Sequence, residues 1–181
     1  MRGTSSTSAR ARARRAGAAA AVVLLAPGIA AAGAQPAAPA TDAVCVNALT
    51  LTLSPGFSPR PASGTSTTGG ETGTLVCTGT VGGRRISGPG TVGVQETYAT
   101  GAACLSDSSH GEVTITLPAI GGPVHIAGAL TGYRLGLVEV VDIAFPQARF
   151  HGTGPVLPLS GDCLLAPITR ALVSITGILH S

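Results

Sequence analysis

Glycine and proline interrupt this chain so often that a helix of ordinary length finds little room, and short β-branched stretches between them alternate apolar with polar residues. Alternation with a period of two is the mark of a strand with one buried face. It is sharpest over residues 112–131, where Val113, Ile115 and Leu117 alternate with Glu112, Thr114 and Thr116. Gly121-Gly122 then precedes a second run containing Val124, Ile126 and Leu130. A two-residue glycine turn predicts a hairpin with Leu117 opposite Ile126, Ile115 opposite Gly128, Val113 opposite Leu130, Glu112 opposite Thr131 and His125 opposite Pro118. In that register the apolar faces of both strands coincide.

Further strands are expected near 46–53, 74–81, 91–99, 137–145, 148–153 and 168–178, with turns at Gly82-Gly83 and Pro89-Gly90. The last stretch also fits a helical spacing through Leu164, Ile168, Leu172 and Ile175, but Pro167 and the β-branched residues favour a strand. About eight short antiparallel strands imply an all-β fold, a β-barrel or alternatively a β-sandwich. The polar stretch 60–73, RPASGTSTTGGETG, reads as a loop too hydrophilic to join a core.

The N-terminus carries Arg2, Arg10, Arg12, Arg14 and Arg15 and no acid, then an apolar run from Ala18 to Ala26 ended by Pro27 and Gly28. Basic start, short apolar stretch and small residues are the order of a signal peptide, 1–34, with cleavage after Ala32-Gly33-Ala34 and before Gln35, or alternatively after Ala40. The apolar run falls short of the ~20 residues of a spanning helix, so no transmembrane span is expected after signal removal. Residues 35–43 read as a disordered lead-in and 44–181 as a single domain.

All four cysteines, Cys45, Cys77, Cys104 and Cys163, follow the leader. Their wide spacing suits two disulfides rather than zinc, so no metal or cofactor is expected. Four cysteines allow three pairings. Cys45 with Cys77 and Cys104 with Cys163 is preferred, because it ties the first strand to the second and a loop to the last strand. Together these features predict a secreted protein. After the leader, six arginines face eight acids, a balance of 6 − 8 = −2, so the basic charge of the whole chain gives no argument for nucleic-acid binding.

The order of LTLSPGFSP, LVCTGTVGGRRISGPGTVGV, a Cys104 loop, EVTITLP with its Gly-Gly hairpin and GDCLLAPITRALVSITG resembles a broad group of uncharacterised secreted actinobacterial β-proteins. The resemblance covers most of the mature chain and implies an exported β-fold. That group has no settled activity, so it implies no catalytic residues.

The densest polar cluster is Ser106, Asp107, Ser108, Ser109, His110 and Glu112, which reads as a solvated loop or as the nucleophile and base of a small hydrolase. Two acids share parity with apolar residues: Glu96 with Val92, Val94 and Tyr98, and Glu139 with Leu137, Val141, Ile143 and Phe145. Turned inward, both would be costly unless paired, with Arg134 or Arg170 as partners, and both become candidate ligand contacts. At a strand end, or beside a bulge, each would reach water instead. His125 falls on the polar face, and His151 and His180 have no metal spacing. The compact catalytic motifs G-x-S-x-G, S-x-x-K and H-E-x-x-H are absent, and so is lysine. With only five aromatic residues, stacking platforms and membrane girdles are disfavoured. The expected function is a secreted or wall-associated, non-enzymatic β-module, with a small apolar ligand or the cell wall as partner. The alternatives are a small hydrolase using the Asp107–His110 loop and a structural surface protein.

Overall fold

The computed structural model describes residues 40–69 and 72–181. The expected signal peptide, its cleavage site before Gln35 and the lead-in up to residue 39 lie outside the described residues. Eleven strands follow: β1 (Asp42–Phe57), β2 (Ala62–Thr67), β3 (Gly73–Val81), β4 (Arg84–Arg85), β5 (Gly90–Ala102), β6 (Ser106–Leu117), β7 (Val124–Leu135), β8 (Val138–Phe145), β9 (Ala148–Ser160), β10 (Ile168–Val173) and β11 (Thr176–His180). Every pairing is antiparallel and no helix occurs among the described residues, which bears out the all-β class.

The pairings close a ring in two tiers. In the lower tier the order is β1-β11-β9-β8-β7-β6-β5-β3 and back to β1; in the upper tier β10 replaces β11 and β2 replaces β3. The sixteen residues of β1 span both tiers, pairing β3 and β11 through Asp42–Ala48 and β2 and β10 through Leu49–Phe57. Where β10 gives way to β11, Asn47 bridges the break. Its N–H donates to the Ile175 carbonyl (2.9 Å), its Oδ1 accepts from the Ile175 N–H (3.1 Å), and the Ser174 hydroxyl donates to its carbonyl (3.1 Å). Closure leaves few free sheet edges, the usual route to strand-on-strand aggregation.

Inward positions alternate along each strand and build one core, with Leu117, Val113, Tyr98, Ile175 and Leu179 the largest fully buried side chains. Cys45 pairs with Cys77 directly across β1 and β3, and Cys104 with Cys163. Two disulfides are consistent with an extracellular protein.

Several expectations need correction. The lead-in ends early, since Thr41 is already buried and β1 begins at Asp42. Part of the 60–73 loop is strand β2, with Ser66 buried, and 168–178 is two strands rather than one. The 112–131 hairpin keeps its faces but slips by two residues, placing Leu117 opposite Val124, Ile115 opposite Ile126, Glu112 opposite Ala129 and His125 opposite Thr116. The turn comprises Ala119–Gly122, with the Gly122 N–H donating to the Ala119 carbonyl. Its tip is drawn to the β3–β4 hairpin by Ile120 N–H on the Arg85 carbonyl (2.9 Å) and an Ile86–Ala119 bridge. The predicted turn at Gly82-Gly83 is present: both glycines have positive φ, 57° and 73°, and Val81 pairs with Arg84 across them.

Candidate functional site

The interior of the ring is apolar toward the end holding Leu117, Phe145 and Leu179. Toward the other end Ser66, Glu96, Asp107, Ser109, Arg134 and Glu139 turn inward. The run 106–110 is therefore strand rather than loop. Strand alternation puts Asp107 and Ser109 inside and leaves His110 exposed, so Ser109 and His110 face opposite sides of β6 and form no nucleophile–base pair.

Arg134 closes the polar end from within. Its Nε donates to Asp107 Oδ2 (3.1 Å), its Nη1 to the carbonyls of Cys104 (2.7 Å) and Gly136 (3.1 Å), and its Nη2 to that of Ala103 (2.7 Å). The guanidinium stands 4.3 Å from the centroid of Phe57, whose ring tilts against Tyr98, and the Tyr98 hydroxyl donates to the Pro55 carbonyl. A planar fork suits this task, because one cation satisfies several fixed acceptors at once.

Glu96 and Glu139 lie beneath, 6% and 7% exposed, so neither reaches water at a strand end. Among the described residues neither pairs with an arginine: Arg134 is engaged by Asp107, and Arg170 is exposed. Glu96 Oε2 accepts from the Ser66 hydroxyl (2.8 Å), whereas the Glu139 carboxyl makes no hydrogen bond among the described residues. Burial, then the charges of Glu96 and Asp107, push the Glu139 carboxyl up to about 8 against the opposing pull of Arg134. Glu96 is raised by burial, with Ser66 opposing and Asp107 adding. Asp107 is raised by burial despite Arg134. At neutral pH Glu139 therefore holds its proton and can act as a donor.

Ser109 Oγ is buried without a hydrogen bond of ordinary length among the described residues, yet it lies near enough to the Glu96 carboxyl to oppose the rise that burial imposes on it. Gly132, opposite it on β7, supplies the room: a Cβ there would fall 2.5 Å from Ser109 Oγ and 3.1 Å from Glu139 Oε1. Among the described residues the interior holds a void of about 40 Å³ along the apolar part, with Glu96 and Glu139 at its end, and one of about 20 Å³ among the polar groups. One water takes ~10–15 Å³ on this measure, so the ring is filled to within a few water volumes.

The outer surface of the same end is apolar. In the loop after β9, Asp162 Oδ1 accepts the N–H groups of Leu164 (3.0 Å), Leu165 (2.8 Å) and Ala166 (3.1 Å), and the Cys163 N–H donates to the Ala166 carbonyl (2.9 Å). The backbone N–H donors, that of Leu165 foremost, hold the Asp162 carboxyl below its ordinary value. Cys163, at φ 71°, is bridged to Cys104. This pinned loop presents Leu164 and Leu165 to water, 83% and 92% exposed. Beside it lies exposed Leu105, whose carbonyl accepts the Gly136 N–H (2.6 Å) at the β7–β8 turn, where Leu135 and Leu137 are also exposed. These leucines form a crown around the plugged end. The opposite end carries exposed Arg84, Arg85 and Arg149.

Neither a protein-family model, a curated protein nor a solved structure matches this chain.

From the sequence, inward carboxylates at Glu96 and Glu139 were one of two alternatives, the other being exposure at a strand end, and the crown gave no expectation. The available signal was Leu164-Leu165 between a cysteine and Pro167, two large apolar residues in a stretch too short to bury them.

Proposed function

We propose that this chain is an exported, non-enzymatic β-module that attaches to the cell envelope through its leucine crown. The observation that carries this reading is the pinned loop holding Leu164 and Leu165 in water. Burying a leucine is worth about 1.5–3 kcal/mol, and a disulfide together with a carboxylate cap keeps both from turning inward to gain it. Apolar groups clustered and exposed in this way mark an interaction surface. The basic, apolar leader and the two disulfides support export, and the separation of Ser109 from His110 supports a non-enzymatic role.

Fractionation of producing cells tests the reading. The parent protein should sediment with the envelope, and Leu164→Ser combined with Leu165→Ser should shift it to the medium. An unchanged distribution would discard the reading. Both side chains lie outside the core, so the variant keeps its fold.

A second reading rests on Ser109 Oγ, buried without a hydrogen bond of ordinary length, and on the Glu139 carboxyl, both of which line the smaller void. Here Glu96 and Glu139 hold a small hydrogen-bonding guest of a few heavy atoms rather than a lipid. Native mass spectrometry at neutral pH would reveal such a guest as added mass lost in Glu139→Gln; a bare polypeptide mass would remove this reading.

A further inference from the structure

We propose that the partner of the crown is a lipid bilayer surface bearing anionic head groups, into which Leu164, Leu165 and Leu105 insert. This deepens the attachment reading and rests on it. Three features favour a membrane over a folded partner.

The first is shape. Leu164 and Leu165 are nearly free of contact with their own chain, which makes them convex tips. A rigid partner would need deep pockets matched to them, whereas acyl chains accommodate any tip. The second is level. The crown residues come from three separate segments, after β5, between β7 and β8 and after β9, all at one end of an antiparallel ring. The Cys104–Cys163 bridge and the Gly136 N–H on the Leu105 carbonyl hold the three segments side by side, so their leucines can meet one surface together. Tyr133 stands exposed two residues below Leu135, at the depth where an aromatic ring with a polar tip meets the head groups.

The third is charge. Among the described residues the exposed charges near the crown are Arg60, Arg170 and the ionised Asp162, a balance of 2 − 1 = +1. The net charge there is cationic and complements anionic head groups. Interfacial binding grows with inserted apolar area and with such attraction.

Cosedimentation of the exported, disulfide-bonded chain with vesicles tests the proposal, using phosphatidylcholine alone and phosphatidylcholine mixed with phosphatidylglycerol. The parent should bind the mixed vesicles. Leu164→Ser with Leu165→Ser should weaken binding about tenfold per leucine. Arg60→Gln with Arg170→Gln should weaken it about fivefold per arginine on mixed vesicles and leave phosphatidylcholine binding unchanged. Val46→Ser with Val76→Ser, on an exposed apolar pair of the outer wall far from the crown, should bind as the parent does. Circular dichroism confirms that each variant is folded.

Failure of the parent to bind either vesicle, or full binding by the leucine variant, would overturn the proposal. If the leucine pair still governs envelope retention in that case, attachment stands and its partner is a protein or wall polymer. If it governs neither, both readings fall.

Discussion

Three buried carboxyls, Glu139, Glu96 and Asp107, couple the stability of this protein to pH. The Glu139 carboxyl keeps its proton in the fold up to about pH 8, against an ordinary value of 4.5. Between those values the folded chain binds more protons than the unfolded chain, so stability falls as pH rises through that window. Glu96 and Asp107, also raised, act with the same sign. Urea unfolding should show the parent losing stability from pH 5 to pH 8. Glu139→Gln should flatten that slope and be on the order of 1–3 kcal/mol more stable than the parent at pH 8. An identical slope would mean that Glu139 is ionised in the fold. Arg134 has the opposite character, because it satisfies three carbonyls and a buried carboxylate. Its removal strands the Asp107 charge, and Arg134→Ala should destabilise by about 3–5 kcal/mol, read as a fall in the urea midpoint. Gly132→Ala drives a methyl between Ser109 and Glu139 and should cost about 1–3 kcal/mol in the same assay.

At the scale of elements, the β6–β7 hairpin separates what pattern determines from what contacts determine. The alternation of Val113, Ile115 and Leu117 fixes which face is buried, and a slip of two residues leaves that face unchanged. Register was not legible, because the tip is held by Arg85 and Ile86, distant in sequence. NOESY spectra should place Ile115 across from Ile126 rather than Gly128; the reverse would restore the two-residue glycine turn. Strand β2 and the start of β6 were unreadable for another reason. Their inward residues, Ser66, Asp107 and Ser109, line the polar part of the interior, so both faces of each strand are polar and alternation disappears. Glu96 and Glu139 were legible as candidates because their neighbours on the same face are apolar, but whether they turn inward or reach water at a strand end was decided only by the fold.

At the largest scale, the described residues form a closed, nearly filled ring with unlike ends, an arginine plug and leucine crown at one and exposed arginines at the other. Filling confines a role for the interior to guests of water-like size and moves the larger question to the surface. The crown depends on the Cys104–Cys163 bridge, which ties two of its segments together. Cys104→Ser with Cys163→Ser should therefore cost about 2–4 kcal/mol and weaken envelope retention, whereas loss of the Cys45–Cys77 bridge within the wall should spare retention in molecules that remain folded. The most direct test of the crown as the working surface is hydroxyl-radical footprinting of the protein, free and on the envelope of its own cells. Leu164 and Leu165 should be among the most heavily oxidised residues of the free protein and become protected on the envelope, with Val46 and Val76 labelled alike in both states. Equal oxidation of the two leucines in both states would contradict the account.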